Sequence, residues 1–139
     1  KTDIIMMLNG ALAGLVAITA EPLTPTPGLA IVIGSIGALI MYFGTKMLES
    51  FGIDDVVGAI PVHMFAGIFG TLVVPISNSD TSFGTQFVGT VSVCVFSFVL
   101  SYLLFLALKT TVGLRISKAA EKLGTDKSEI GVTAYSIRD

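Results

Sequence analysis

DDVVGAIPVHMFAGIFGTL, residues 54–72, decides the fold of this chain. Two carboxylates open it, and the single histidine of the sequence, His63, lies inside the apolar run that follows. A helix needs about 20 apolar residues to cross a hydrocarbon core of roughly 30 Å. His63 falls about seven residues past Val56, roughly 10 Å of helical rise from the polar end and too deep to reach an interface. An ionisable group at that depth is costly unless it faces a cavity or a partner, which makes it a functional candidate by default. The bland alternative is an imidazole satisfied by a neighbouring backbone carbonyl.

The rest of the chain agrees with a bilayer. Of 139 residues, 53% are apolar and 13% charged, outside the range of soluble domains. The formal charge of −2 points neither to a nucleic-acid binder nor to a polyanionic tail. One cysteine, Cys94, excludes an intrachain disulfide and a multi-cysteine metal site. The start, KTDIIMMLNG, has neither an initiator Met nor a cleavage signal after a short apolar core, so no signal peptide is expected and a fragment is.

Polar and Pro/Gly punctuation cuts residues 1–110 into four expected spans, 4–20, 29–48, 56–76 and 83–108, with a tail over 111–139. The fold class is therefore an all-α membrane protein with four transmembrane helices. The gap EPLTPTPG carries three prolines and cannot continue a helix. Lys1, Lys46, Lys109 and the basic residues of the tail fall on one side of this arrangement, and the opposite loops carry Glu21 and Asp80. By the positive-inside rule both termini are expected in the cytoplasm, which an even number of spans allows.

Gly10 and Gly14, then Gly34, Ser35 and Gly37, then Gly67 and Gly70 have spacings that let helices approach closely. The fourth span, VSVCVFSFVLSYLLFLAL, is bulky all round and is expected to face lipid along much of its length. In an α-helix Ala59, His63, Gly67 and Gly70 would share one face, leaving room for a narrow lumen beside the histidine. Pro61 is expected to remove one helical hydrogen bond and to loosen the span there. Asp54 and Asp55, at the start, suit capping of exposed amides at the positive end of the helix dipole. Asn9 and Thr19 can hydrogen-bond across helices or to their own carbonyls, and neither marks a site by itself. No phosphate-cradling loop, nucleophile elbow or second histidine is present, so no enzyme, no cofactor and no metal centre is expected.

The combination LNGALAGLVAIT (8–19), DDVVGAIPVHMFAGIFGTL (54–72), TVGLRIS (111–117) and GTDKSEIGVTAY (124–135) resembles the ammonium transporter (Amt/MEP/Rh) family, and looks closest to its bacterial Amt branch. The resemblance covers essentially the whole chain and corresponds to spans eight to eleven of an eleven-span fold plus the cytoplasmic tail. It implies a homotrimer in the cell (inner/plasma) membrane, with one narrow hydrophobic pore per subunit that passes ammonium or ammonia. His63 matches the second of two hydrogen-bonded pore histidines, whose partner belongs to an earlier span. Ala59 and Leu12 match pore-lining positions, and Thr19 matches a threonine of the external recruitment site. Neutral imidazoles suit such a pore because they compensate a dehydrated cation, or hold its proton apart, without adding charge.

The tail resembles a regulatory segment that couples subunits and binds PII-type signal proteins. Where the family pattern reads Gly-Leu-Asp and Glu-His-Gly, this chain has Gly124-Thr125-Asp126 and Glu129-Ile130-Gly131, which counts against PII regulation; Tyr135 keeps its place. Met64 stands where a glycine often follows the histidine, so a narrower lumen is expected. Since the family's pore lies between two pseudosymmetric halves, the remaining spans are expected before Lys1 or from another chain. The competing reading is an ammonium-sensing membrane domain joined to a downstream effector.

Overall fold

A computed structural model describes residues 3–134, which places Lys1 and Tyr135 outside the described residues. Five α-helices and two π-helical segments follow one another, with no strand among the described residues. They are α1 (Ile4–Ile18), α2 (Pro27–Ser50), a π-helical segment (Ile60–Phe65) that runs into α3 (Ala66–Ser77), α4 (Phe83–Thr111), α5 (Lys118–Leu123) and a second π-helical segment (Asp126–Ile130). The chain forms two compact units, residues 1–94 and 95–139, with α4 beginning in the first and ending in the second.

Local chemistry fixes the helix ends. Asp3 starts α1 by accepting the Met6 amide at 3.0 Å. Thr26 starts α2 by accepting the Leu29 amide at 3.3 Å, with Pro27 in the first turn, where a missing N–H costs nothing. The α1 helix stops at Ile18, two residues short of the expected Ala20, because the Thr19 amide bonds back to Val16 in a tighter turn. Its 15 residues rise only about 22 Å, less than a hydrocarbon core. Three helices are long and apolar enough to cross a membrane: Pro27–Ser50, Ile60–Ser77 and Phe83–Thr111. The Ile60–Ser77 span starts later than the expected Val56, since Val56 and Val57 form a turn.

In the first unit α1 packs against α2 and α3 through small residues. A Cβ added to Gly14 would meet the Gly34 carbonyl at 3.1 Å, and one on Gly37 would meet the Ala13 carbonyl at 2.9 Å. At Gly70 it would overlap the Ala17 backbone outright, so glycine there sets how closely α3 lies on α1. Beneath these contacts Ala13, Met41, Val62 and Ala66 form the buried core, with Met6 and Val16 against it. At one end of the unit, Asn78 donates to the Glu21 carboxylate at 2.9 Å and Thr24 to Ser77 at 3.1 Å. These two bonds tie the proline-rich loop to the end of α3.

α4 differs, for none of its 29 residues is buried. In the second unit Gly113, at φ +88°, closes α4, and Ser117 starts α5 by accepting the Ala120 amide at 3.2 Å. Arg115 and Glu121 form an exposed ion pair. Asp126 accepts the Ala134 amide at 3.0 Å, which closes the segment after the second π-helical turn. That bond, with help from the Lys127 amide, holds the Asp126 carboxyl below its ordinary pKa of 3.8.

Candidate functional site

The site is built from the start of the third span. A helix start leaves four amides without helical acceptors, and here each can be accounted for. Asp55 takes two of them: Oδ1 accepts from the Ala59 amide at 2.9 Å and Oδ2 from Ile60 at 2.8 Å. The third belongs to Pro61, which has no N–H to satisfy. The fourth, on Gly58, donates to the Asp55 carbonyl at 3.1 Å, and the Val62 amide makes the first helical bond, to the Gly58 carbonyl at 3.1 Å. Pro61 thus sits where its missing donor is harmless, and the expected loss of a helical bond at that residue does not occur.

The loosening lies instead in the π-helical winding of Ile60–Phe65, the segment that carries His63. At its end the Ala66 amide bonds to both the Pro61 and His63 carbonyls, joining the wider turn to α3. A π turn bonds residue i to i+5, so its winding is wider than that of the α-helix it joins. Burial increases along the residues expected to share a face. Ala59 and His63 are exposed, Gly67 is half-buried, and Gly70 is buried against Ala17.

Two packing contacts hold the wide turn from behind. Pro61 and Val62 are buried, and the Phe65 ring lies over Gly44 of α2 so closely that a Cβ at Gly44 would collide with it. With its back anchored, the turn presents His63 and Met64 outward, Met64 being 50% exposed. Among the described residues nothing hydrogen-bonds the His63 imidazole, so the backbone-carbonyl alternative finds no support here. A neutral imidazole left this way keeps one donor and one acceptor for a small polar molecule.

The other expected site residues lie as follows. Leu12 is 48% exposed on α1. Thr19 is exposed, and its hydroxyl donates to the Leu15 carbonyl at 2.6 Å, which leaves the oxygen's lone pairs as acceptors. Asp54 is exposed and, with Asp55, Glu49, Gly58 and Pro61, lines a cavity of about 180 Å³ beside the turn. Among the described residues no cluster of three or more metal-ligating side chains occurs.

Two further residues complete the site: Asn9, for which the sequence left open a bond across helices or to its own carbonyls, and Gly58, which it did not single out. Asn9 of α1 donates through Nδ2 to the Val57 carbonyl at 2.9 Å, and Gly58, buried at φ +74°, lets that amide approach. An isolated amide in an otherwise apolar α1, and a glycine between two acidic residues and a proline, were the available signals.

Comparison with known proteins carries the same pattern. The family described as Ammonium Transporter Family matches residues 1–135. "Ammonium transporter Amt2" of Archaeoglobus fulgidus is 36% identical over 97% of this chain and 33% of its own length. "Ammonium transporter Amt1" of Haloferax mediterranei is 36% identical over 97% of this chain and 27% of its own. "Ammonium transporter Amt2" of Methanocaldococcus jannaschii is 32% identical over 97% of this chain and 34% of its own. The chain therefore spans about a third of the length of the curated relatives it matches, and these matches single out no bacterial branch. With three membrane-length apolar helices and a family match running almost from end to end, this all-helical, multi-pass membrane chain belongs to the Ammonium Transporter Family.

Proposed function

We propose that this chain forms one wall of a pore that carries ammonium or ammonia across a membrane, with His63 as the residue that meets the permeant. The observation that supports this most is the placement of His63: an exposed, unpartnered imidazole on an anchored π-helical turn of a membrane-length apolar helix. An ammonium ion stripped of water needs acceptors, and ammonia needs a donor; neutral imidazole offers one of each. Leu12 and Ala59, exposed and uncharged, suit an apolar lining that excludes hydrated metal cations. Thr19, its own proton spent on Leu15, offers acceptor lone pairs for an incoming cation at the far end of α1. Asp55 caps the start of the His63 helix, and Asp54 adds a second carboxylate beside it. The charge pattern supports cytoplasmic placement of the Lys46 and Asp54 end in a cell membrane. The remaining spans, with a partner histidine, would come from residues before position 1 or from another chain. The family reading extends to a homotrimer, with α4 offering apolar surface to lipid or a neighbouring subunit, while the tail's departures argue against PII binding.

The test is His63→Ala in the complete protein reconstituted in liposomes. Ammonium-driven flux is expected to fall at least tenfold, or to lose its discrimination against potassium, with protein yield and trimming of aggregates on sizing columns unaltered. Unchanged flux and selectivity would remove the histidine's role.

A further inference from the structure

We propose that Asn9 is a positioning residue for the His63 turn: its carboxamide, reaching from α1, fixes the Val57–Gly58 peptide from which the π-helical segment starts. This rests on the reading of His63 given above. Apolar packing holds the π-helical segment from behind, but Val56 and Val57 are 82% and 67% exposed, so it does not hold the Val56–Val57 turn that leads into that segment. The ties of the turn are polar. The Gly58 amide bonds to the Asp55 carbonyl at 3.1 Å, and the Asp55 carboxylate holds Ala59 and Ile60. Those bonds lie within a few residues of one another and would move with the helix as one piece. Among the described residues Asn9 supplies the polar tie from outside, 48 residues away in sequence, and it connects the start of this piece to α1.

Gly58 fits this role in two ways. Its φ of +74° turns the chain at a conformation that L side chains rarely adopt, and a Cβ there would stand 2.6 Å from the Asn9 nitrogen. From Gly58 the constraint passes on directly, since its carbonyl accepts the amide of Val62, the residue before His63. The carboxamide also has the right chemistry, because its nitrogen donates to a carbonyl. A carboxylate of the same shape would set oxygen against oxygen.

Asn9→Asp is therefore the sharp variant, tested in the complete protein in liposomes beside Gly58→Ala, the double variant and His63→Ala. Hydrogen exchange of the amides over 58–66 is expected to speed up about tenfold or more, in line with an orphaned carbonyl, while α2 keeps its protection. Maximal ammonium flux should fall several-fold with little change in the half-saturating concentration. The Asn9 and Gly58 effects on exchange should be less than additive, because both break one contact. If Asn9→Asp does not fold, Asn9→Ser, with a donor on a shorter arm, should show the same changes at smaller amplitude. Unchanged exchange over 58–66 would overturn the proposal. Faster exchange with undiminished flux would equally overturn it, and would leave the role of His63 standing. An unimpaired His63→Ala protein would break the pore reading instead, and the exchange data, which do not depend on transport, tell the two failures apart.

Discussion

The second and third membrane-length helices, Ile60–Ser77 and α4, are both apolar, yet they have opposite surroundings. The Ile60–Ser77 helix buries Pro61, Val62, Ala66, Gly70 and Val74, whereas α4, the more hydrophobic of the two, buries nothing. Apolarity does not separate them; residue size does. In a bilayer, helices gain little by hiding greasy surface from lipid, so close approach of backbones decides which ones associate. Gly70 lies against Ala17 and Gly44 beneath Phe65, contacts that a single methyl group would block. Over 91–108, α4 presents valine, phenylalanine and leucine on every side and offers no such groove. The packed helix is the one that carries the histidine, which places the candidate chemistry where the backbone is best constrained.

The largest expected effect comes from exchanging the character of the two helices. Gly70→Leu should cost roughly 3 kcal/mol or more through forced separation of α3 from α1. Gly89→Leu on α4, where nothing stands within 4 Å, should change stability by less than about 0.5 kcal/mol. Thermal melting of the purified complete protein in detergent compares the two directly. Equal losses would mean that α4 is covered by protein rather than lipid, and the contrast would dissolve.

A second, smaller difference concerns how each helix begins. Asp55 binds two amides of the histidine helix, and Asp55→Ala should cost about 1–2 kcal/mol. Ser82 starts α4 with one, the Thr85 amide at 3.1 Å, so its loss should cost less. Chemical denaturation in mixed micelles can rank the pair, and the reverse order would show that the Asp55 cap is dispensable.

The smallest effect lies outside the membrane helices. Because Asp126 has a lowered pKa, its bond to the Ala134 amide should stabilise the tail fully above pH about 4, the unfolded carboxyl's range. That contribution should fade as pH falls through the lower folded value. Exchange of the Ala134 amide, followed by NMR between pH 6 and 2.5, checks it; protection that rises on acidification would contradict the sign.

The sequence was most informative where composition alone decides. Long apolar runs between prolines, acids and turn residues mark the membrane helices, and a glycine spacing announces which of them can touch. It was least informative where one residue's geometry depends on another far along the chain. Asn9 reads as an unremarkable amide until α1 and the Val57 turn are seen side by side. The winding around His63 was hidden for a related reason. A periodicity argument assumes one winding throughout, and the π-helical segment changes the winding at the residues of interest. Likewise Pro61 suggests a kink when read alone, and becomes an ordinary first-turn proline once the helix is seen to start at Ala59.

The π-helical segment also makes the length of this stretch matter residue by residue. Downstream, Gly70 has one acceptable seat against Ala17; upstream, Asp55 and Asn9 fix where the helix begins. Between these clamps the chain holds more residues than an α-helix would need to cover the same rotation. Removing a single residue there would let the segment relax to regular winding with both clamps still closed, while any residue left between them would turn by roughly 100°. The orientation of the imidazole is thus set by a count of residues as much as by their kinds, and a one-residue deletion that leaves every contact partner intact could still point it away.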